Sequence, residues 1–208
     1  GSAMRPPHVQ GAFRQRIVCD ASQAHKLADH VSDGEGSMAE PLSVALHAVN
    51  RAGPLLGKSV LVTGCGPIGA MAVIAARRAG ATFIVATDMA AQPLRAALKV
   101  GADQAINIAE QPDALAAFTA EKGQFDVHFE ASGNARALLS GFEVLRPRGI
   151  LMLVGLGGDI TLPMNTIVAK EFDVRGSFRF HAEFAVAVEL LNKRLVDVKP
   201  LISATLPY

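Results

Sequence analysis

A glycine-rich turn constrains the fold of this chain more than any other stretch of its sequence. Gly64, Gly66 and Gly69 are spaced as G-x-G-x-x-G, after the β-rich run 59–63 and before a run with helical periodicity, 67–79. A strand, a tight glycine turn and a helix in this order predict the first unit of a parallel α/β sheet. Pro67 suits the first position of that helix, because no helical hydrogen bond is lost there.

Runs with strand and helix character alternate along the rest of the chain. This alternation predicts a doubly wound parallel sheet of the Rossmann type, with helices on both faces. The predicted strands are 59–63, 82–87, 104–107, 125–129, 149–154 and 172–178. The first predicted helix begins at Met38 and ends at Gly53. The other predicted helices span 67–79, 90–100, 112–121, 134–145 and 182–193.

The first 40 residues differ from this pattern. Residues 1–4 resemble a tag remnant, a short strand is predicted near 13–19, and the polar stretch 29–37 is predicted to be a loop. Because this part has too little apolar mass for its own core, we expect 5–40 to be the remnant of a β-rich domain. A nucleotide-binding domain is then expected over 41–196, and a return segment towards the first domain over 197–208.

Each glycine of the turn has a physical reason to be a glycine. Gly64 permits the tight turn, Gly66 leaves space for a pyrophosphate to approach the backbone, and Gly69 lets the helix pack closely on the sheet. The start of the helix then offers free N–H groups and a positive dipole end to the phosphates. The sequence therefore predicts a dinucleotide site at this turn.

Asp88 ends the next predicted strand, about 20 residues beyond the turn. A carboxylate at this place accepts hydrogen bonds from the hydroxyls of an adenosine ribose and repels a 2′-phosphate. Residues 89–94 contain no Arg or Lys, which favours NAD over NADP, although NADP use stays open. The alternative is that Asp88 caps the helix that follows it. S-adenosylmethionine is an alternative ligand, but its enzymes favour a G-x-G-x-G turn.

Composition excludes several classes of protein. The chain has 20 Lys and Arg against 19 Asp and Glu, and this balance argues against a nucleic-acid or anionic membrane surface. Two cysteines in 208 residues do not make a disulfide scaffold, and no apolar run approaches the roughly 20 residues of a membrane span. We therefore expect a cytoplasmic protein, in which Cys19, Cys65 and the histidines are mostly structural.

Several stretches resemble the zinc-dependent medium-chain dehydrogenases, in the sorbitol dehydrogenase branch. They are 39–48, 57–69, 125–133, 154–158 and 170–180. Within that branch, 7–13 and 176–180 most resemble the L-idonate 5-dehydrogenases. The resemblance implies an enzyme that uses zinc and NAD(P) to oxidise a secondary hydroxyl of a sugar acid or polyol. It also implies a homodimer or tetramer that pairs through the last strand of the sheet, here near 172–178.

The resemblance implies a role for individual residues on the cofactor side. Backbone groups near Gly66, Pro67 and Ile68 would hold the pyrophosphate. Ala131 and Ser132 would line the adenosine side, just past the end of a strand. The residues that would flank the nicotinamide are Val154, Gly155, Leu156 and Phe178.

On the substrate side, the resemblance implies catalytic roles for two residues. Arg179 would face the substrate and the cofactor, and Glu40 would ligate the catalytic zinc or hydrogen-bond its water. The alternatives are a surface arginine at a strand end and a solvated acid that stabilises the start of a helix.

The chain departs from the family in its zinc ligands. It contains no Gly-His-Glu segment and too few cysteines for the family's structural zinc cluster. A catalytic zinc needs at least three protein ligands, so Glu40 alone cannot hold one. We therefore expect a piece of a longer chain that binds NAD(H) without turnover. The alternatives are a non-catalytic NAD-sensing module and, less favoured, a methyltransferase that uses S-adenosylmethionine.

Overall fold

The computed structural model describes Gly11 and residues 14–206. The expected tag remnant 1–4, most of the 7–13 stretch and the last two residues of the return segment lie outside the described residues. Among the described residues, no helix combines the length and apolarity needed to cross a bilayer.

The core of the molecule is one sheet of six parallel strands, in the order β3-β2-β1-β4-β5-β6. Its strands are β1 (Ser59–Thr63), β2 (Phe83–Asp88), β3 (Gln104–Asn107), β4 (Phe125–Glu130), β5 (Leu145–Leu153) and β6 (Asp173–Gly176). This order reverses between β1 and β4, and a ligand crevice opens at such a reversal in α/β sheets. The predicted Rossmann sheet is confirmed, although β5 begins earlier and β6 is shorter than the sequence indicated.

Helices cover both faces of the sheet. They are α1 (Asp33–Ser37), α2 (Ala39–Ala52), α3 (Pro67–Arg78), α4 (Ala91–Lys99), α5 (Ala135–Val144), α6 (Met164–Lys170) and α7 (Glu183–Asn192). Alternate residues of β1 enter different apolar clusters: Val60 and Val62 pack with α2, α3 and α7, whereas Leu61 packs with α5. A parallel strand buried on both faces has this apolar pattern, which explains the near-continuous apolar runs in the sequence.

Two predicted elements are wrong. The stretch 112–121 forms two short 3-10 helices (Ala114–Phe118 and Ala120–Lys122) instead of one α-helix, and Glu121 and Lys122 adopt positive φ angles of 55° and 69°. The described residues 14–20 form no strand. Val18 is 99% exposed and Cys19 is also exposed. Among the described residues no strand lies alongside this stretch, so it lacks the hydrogen-bonding partner that a strand needs.

The predicted loop 29–37 contains the helix α1, which was not expected from the sequence. Ser32 and Glu35 form a reciprocal capping box at the start of α1. Glu35 is buried and also pairs with Arg194, which follows α7. The Asn192 side chain accepts from the Ala28 N–H at 2.8 Å. The segment before α2 is therefore fastened to the end of α7.

Candidate functional site

The predicted site residues follow the last residues of the central strands. Thr63, Glu130, Leu153 and Gly176 stand in register across β1, β4, β5 and β6. The next residue of each strand continues the ladder, as where the Ser177 N–H donates to the Leu153 carbonyl at 2.8 Å. The sheet therefore brings the glycine turn, the stretch after β4 and the stretches after β5 and β6 to one edge.

The glycine turn has the geometry that its spacing predicts. Gly64 has a φ of 83°, in the left-handed region that favours glycine, and a Cβ there would lie 2.8 Å from the Ser132 nitrogen. A Cβ on Gly69 would lie 1.7 Å from the Gly64 carbonyl oxygen, so the start of α3 packs directly on the turn. A Cβ on Gly66 would meet no atom within 4 Å. The space in front of Gly66 is therefore open to a ligand.

Helix α3 begins at Pro67 with N–H groups that its own ladder does not use. The first helical hydrogen bond runs from the Ala70 N–H to the Gly66 carbonyl at 2.9 Å. The N–H groups of Ile68 and Gly69 precede this bond, and no side chain caps the helix. Together with the open space at Gly66, they form a cradle for an anionic group such as a pyrophosphate.

Asp88 lies at the end of β2, where its carboxylate holds two backbone segments. One oxygen accepts from the Cys65 N–H in the turn at 2.7 Å, and the other accepts from the Ala90 N–H at 2.9 Å. The helix-capping alternative is not realised, because Ala90 is the N-cap residue of α4 and no side chain caps that helix. A carboxylate has about four acceptor positions, so two hydrogen bonds leave capacity for ribose hydroxyls.

Cys65 is buried behind the turn. Burial, together with the charge of Asp88, raises the pKa of its thiol to about 12. Its Sγ donates to the Thr87 carbonyl at 3.4 Å. The neutral thiol therefore fills space, as the sequence predicted.

Glu130 organises two of the predicted cofactor stretches, and sequence reasoning did not single it out. Its buried carboxylate accepts from the Ser132 and Gly133 N–H groups at 2.8 and 3.1 Å. Its backbone carbonyl accepts from Val154 and Gly155, each at 2.8 Å. A Cβ on Gly155 would lie 2.2 Å from the Gly133 nitrogen, so these stretches touch. One residue therefore joins the expected adenosine side to the expected nicotinamide side.

A pocket of about 560 Å³ lies beyond β5 and β6. Its lining contains four predicted cofactor residues (Val154, Gly155, Leu156 and Phe178) and also His47, Arg51, Ser177 and His181. The Ser177 Oγ is buried and has no hydrogen-bond partner among the described residues. The structure thus brings the expected nicotinamide residues to one cavity and adds polar groups to it.

His47 is part of that lining and has a partner far away in the sequence. Its Nδ1 lies 3.0 Å from an oxygen of Glu183, the first residue of α7. The Asn50 amide donates to the same oxygen at 3.2 Å, and the His181 N–H donates to the other oxygen at 2.8 Å. No local signal predicts this cluster, because the two ends of the His47–Glu183 contact are 136 residues apart.

The two predicted catalytic residues occupy different positions. Arg179 has a φ of 58° and its guanidinium lies 5.0 Å from the centre of the Phe178 ring, beside the pocket. Glu40 is exposed in the first turn of α2 and makes no hydrogen bond or ion pair with the described residues. It lies seven residues before His47, which is about 10 Å along the same helix face.

The described residues do not fit a zinc ion. Nowhere in the described part of the chain do three or more His, Cys, Asp or Glu side chains cluster closely enough to hold a metal. A catalytic zinc needs at least three protein ligands. Glu40 would therefore have to share the metal with ligands from outside the described residues.

Comparison with known proteins points to one family. The profile described as zinc-binding dehydrogenase matches residues 67–193. L-idonate 5-dehydrogenase (NAD(P)(+)) of Escherichia coli K12 is 41% identical over 209 aligned residues, which cover 100% of this chain and 60% of the relative. Human sorbitol dehydrogenase is 37% identical, over 90% of this chain and 54% of the relative.

A solved structure agrees with these matches. The crystal structure of Escherichia coli L-idonate 5-dehydrogenase superposes with a TM-score of 0.91 and 40% sequence identity, over 97% of this chain and 58% of that one. The chain thus spans little more than half the length of the relatives it matches.

Proposed function

Because the chain belongs to the zinc-binding dehydrogenase family, we propose that it is the NAD(H)-binding part of an NAD(P)-linked, zinc-dependent dehydrogenase. The intact enzyme would oxidise a secondary hydroxyl of a sugar acid or polyol, in keeping with the names of its relatives, L-idonate 5-dehydrogenase and sorbitol dehydrogenase. The observation that carries the proposal is the open space in front of Gly66, just before α3, in a turn that the Asp88 carboxylate holds through the Cys65 N–H.

The edge of the sheet formed by the carboxyl ends of its strands is called the carboxyl edge, and each part of it has a role in this proposal. The N–H groups of Ile68 and Gly69 at the start of α3, with Gly66 and Pro67 before them, hold the pyrophosphate. Asp88 accepts the hydroxyls of the adenosine ribose, and Ala131 and Ser132 line the adenosine side. The nicotinamide then lies in the pocket of Val154, Gly155, Leu156 and Phe178, with Arg179 beside it.

When bound, NAD(H) would supply hydride transfer between the alcohol carbon and the corresponding ketone. The described residues bind and orient the dinucleotide. Since they hold no zinc site, activation of the alcohol needs ligands from elsewhere, with Glu40 as the proposed contribution of this chain. We accordingly propose that the chain alone binds NAD(H) without turnover.

The remaining features of the proposal concern organisation. Residues 41–196 form the cofactor domain, 5–40 belong to a catalytic domain, and 197–208 lead back to it. The parent pairs into a homodimer or tetramer through β6, which within the described residues has a strand neighbour on one side only. A cytoplasmic location also belongs to the proposal.

Calorimetric titration tests the proposed ligand. Titrate this chain with NADH, NADPH and S-adenosylmethionine, and repeat with Asp88→Ala and Asp88→Asn. We expect the tightest binding with NADH. Asp88→Ala should weaken it about 10- to 100-fold, because charged hydrogen bonds contribute about 1.5–3 kcal/mol. Asp88→Asn keeps an acceptor but loses the charge, so its affinity for NADH should lie between those of the wild type and Asp88→Ala.

The outcomes separate the alternatives. Binding of S-adenosylmethionine without NADH would overturn the proposal in favour of a methyltransferase. Wild-type chain that binds no dinucleotide would overturn the assignment of the glycine turn. Equal affinity for NADH in the wild type, Asp88→Ala and Asp88→Asn would show that Asp88 does not contact the ligand. A natural gene that encodes no zinc-ligand segment beside this chain would favour the sensing module.

A further inference from the structure

The carboxylate of Glu183 connects two walls of the nicotinamide pocket. Its Oε1 contacts the His47 and Asn50 side chains of α2 at 3.0 and 3.2 Å. Its Oε2 accepts from the His181 N–H at 2.8 Å, in the connection that follows β6. This connection also carries Phe178. Glu183 therefore fixes α2 and the chain after β6 relative to each other.

The charge on Glu183 determines which nitrogen of His47 carries a proton. Burial alone would raise the pKa of this carboxyl, but the hydrogen bonds from His181, His47 and Asn50 outweigh burial and lower the pKa to about 2. The carboxylate is thus ionised at neutral pH and can only accept hydrogen bonds. His47 must therefore donate through an Nδ1–H group. In the Nδ1–H tautomer, the Nε2 atom carries no proton and can accept a hydrogen bond.

The Nε2 atom of His47 is at the opposite side of the ring from Glu183. It has no hydrogen-bond partner among the described residues. The His181 ring contacts the His47 ring edge-on, with 5.1 Å between centroids, and both residues line the pocket. The His47 ring therefore lines the pocket, and its Nε2 is left without a hydrogen-bond partner in the described part of the chain.

We propose that Glu183 is a positioning residue of the nicotinamide site, which holds His47 as the Nδ1–H tautomer so that its Nε2 accepts a hydrogen bond from the amide N–H of the nicotinamide. This inference rests on the proposed function, because it needs the dinucleotide to enter the pocket. Among the pocket-lining side chains, Arg51 offers only donors. The Nε2 atom of His47, in its Nδ1–H tautomer, supplies an acceptor for an amide N–H.

A purely structural role for Glu183 is the competing explanation. An acid in the first turn of α7 would stabilise that helix through its dipole and through the His181 N–H. Such a role affects folding and would act equally on every ligand. A positioning role affects only ligands that contain the nicotinamide. ADP-ribose, which keeps the adenosine and the pyrophosphate but lacks the nicotinamide, separates the two.

The test compares NADH with ADP-ribose by calorimetric titration of the 208-residue chain. Glu183→Gln removes the charge, and Glu189→Gln is its matched control, because Glu189 lies on the same helix but is exposed and paired with Lys193. We expect Glu183→Gln to weaken NADH about 10-fold and to change ADP-ribose less than about twofold. Glu189→Gln should change neither. His47→Phe, which keeps a planar ring, should repeat the Glu183→Gln result, and the double variant should add nothing further.

Nitrogen NMR of the imidazoles gives a second readout that needs no ligand. We expect wild-type His47 to show the protonated Nδ1 of one tautomer, and Glu183→Gln to lose this preference. An Nε2–H tautomer in the wild type would overturn the inference, whatever the affinities are. Equal losses of NADH and ADP-ribose, or no loss in Glu183→Gln, would also overturn it. If wild-type chain bound ADP-ribose but not NADH, the pocket assignment would fail while the glycine turn stood.

Discussion

The two ends of the carboxyl edge are built in different ways. At the proposed adenosine end, the glycine turn and Asp88 come from one continuous stretch, 64–88, in which the contact between Cys65 and Asp88 spans 23 residues. The nicotinamide end combines α2 with the segments after β5 and β6, and its contact between His47 and Glu183 spans 136 residues. The first end is shaped by backbone conformation, and the second by side chains that meet only when the sheet is complete.

This difference predicts different responses to mutation. Changes in the turn should act through backbone geometry and affect every dinucleotide fragment. Changes at the His47–Glu183 contact should act only on the nicotinamide half. The Asp88 and Glu183 variants proposed above test each end, and four further substitutions sharpen the comparison.

The largest effect is expected from Gly69→Ala. The added Cβ would lie 1.7 Å from the Gly64 carbonyl oxygen, so the turn or the start of α3 must move. We expect a loss of about 3 kcal/mol in the free energy of unfolding, as for overpacked sites, and loss of NADH and ADP-ribose binding together. Urea denaturation and calorimetry measure the two effects.

Gly66→Ala is the matched control for this change. Its Cβ would meet no protein atom within 4 Å, so stability should change by less than about 1 kcal/mol while dinucleotide binding weakens. Equal stability of Gly69→Ala and Gly66→Ala would contradict the direct packing of α3 on the turn.

A smaller effect is expected at β4, the strand between β1 and β5. His128 in β4 is fully buried beneath the site and bonds to Thr63, the last residue of β1, at 2.9 Å. Burial lowers the pKa of His128 to about 3 from an ordinary value near 6.5. Below pH 6.5 the unfolded chain therefore binds a proton that the folded chain does not, and stability falls as the pH falls towards 3.

Urea denaturation at pH 7 and pH 5 measures this loss, which should be about 2 kcal/mol from His128 alone. His128→Gln removes the titrating group, so its loss over the same pH range should be smaller than in the wild type by that amount. Equal losses in both proteins would show that the imidazole is not held neutral.

The smallest effect is expected at the exposed Glu40. Because its side chain makes no hydrogen bond or ion pair with the described residues, Glu40→Gln should leave thermal stability and NADH affinity within experimental error. The same substitution in a longer protein that binds zinc should lower the turnover. A clear loss of NADH affinity in the present chain would move Glu40 to the nicotinamide end.

The sequence predicted the geometry of the glycine turn, because Gly64, Gly66 and Gly69 determine the backbone shape by having no side chain. It missed His47–Glu183, since helical periodicity places His47 on a face but does not indicate what packs there. The Ala-rich stretch after Asp113 has helical composition, yet it ends with Glu121 and Lys122 in a backbone conformation with positive φ. Local propensity did not settle that stretch.

The hydrogen bond between the Cys65 N–H and Asp88 links cofactor choice to the shape of the turn. Exchange of Asp88 for a small neutral residue is the obvious way to accommodate a 2′-phosphate. The same change also leaves the Cys65 N–H of the turn without its acceptor. A redesign of specificity at this position must therefore replace two interactions at once. Evolution of the preference would meet the same constraint, and it favours paired substitutions over single ones.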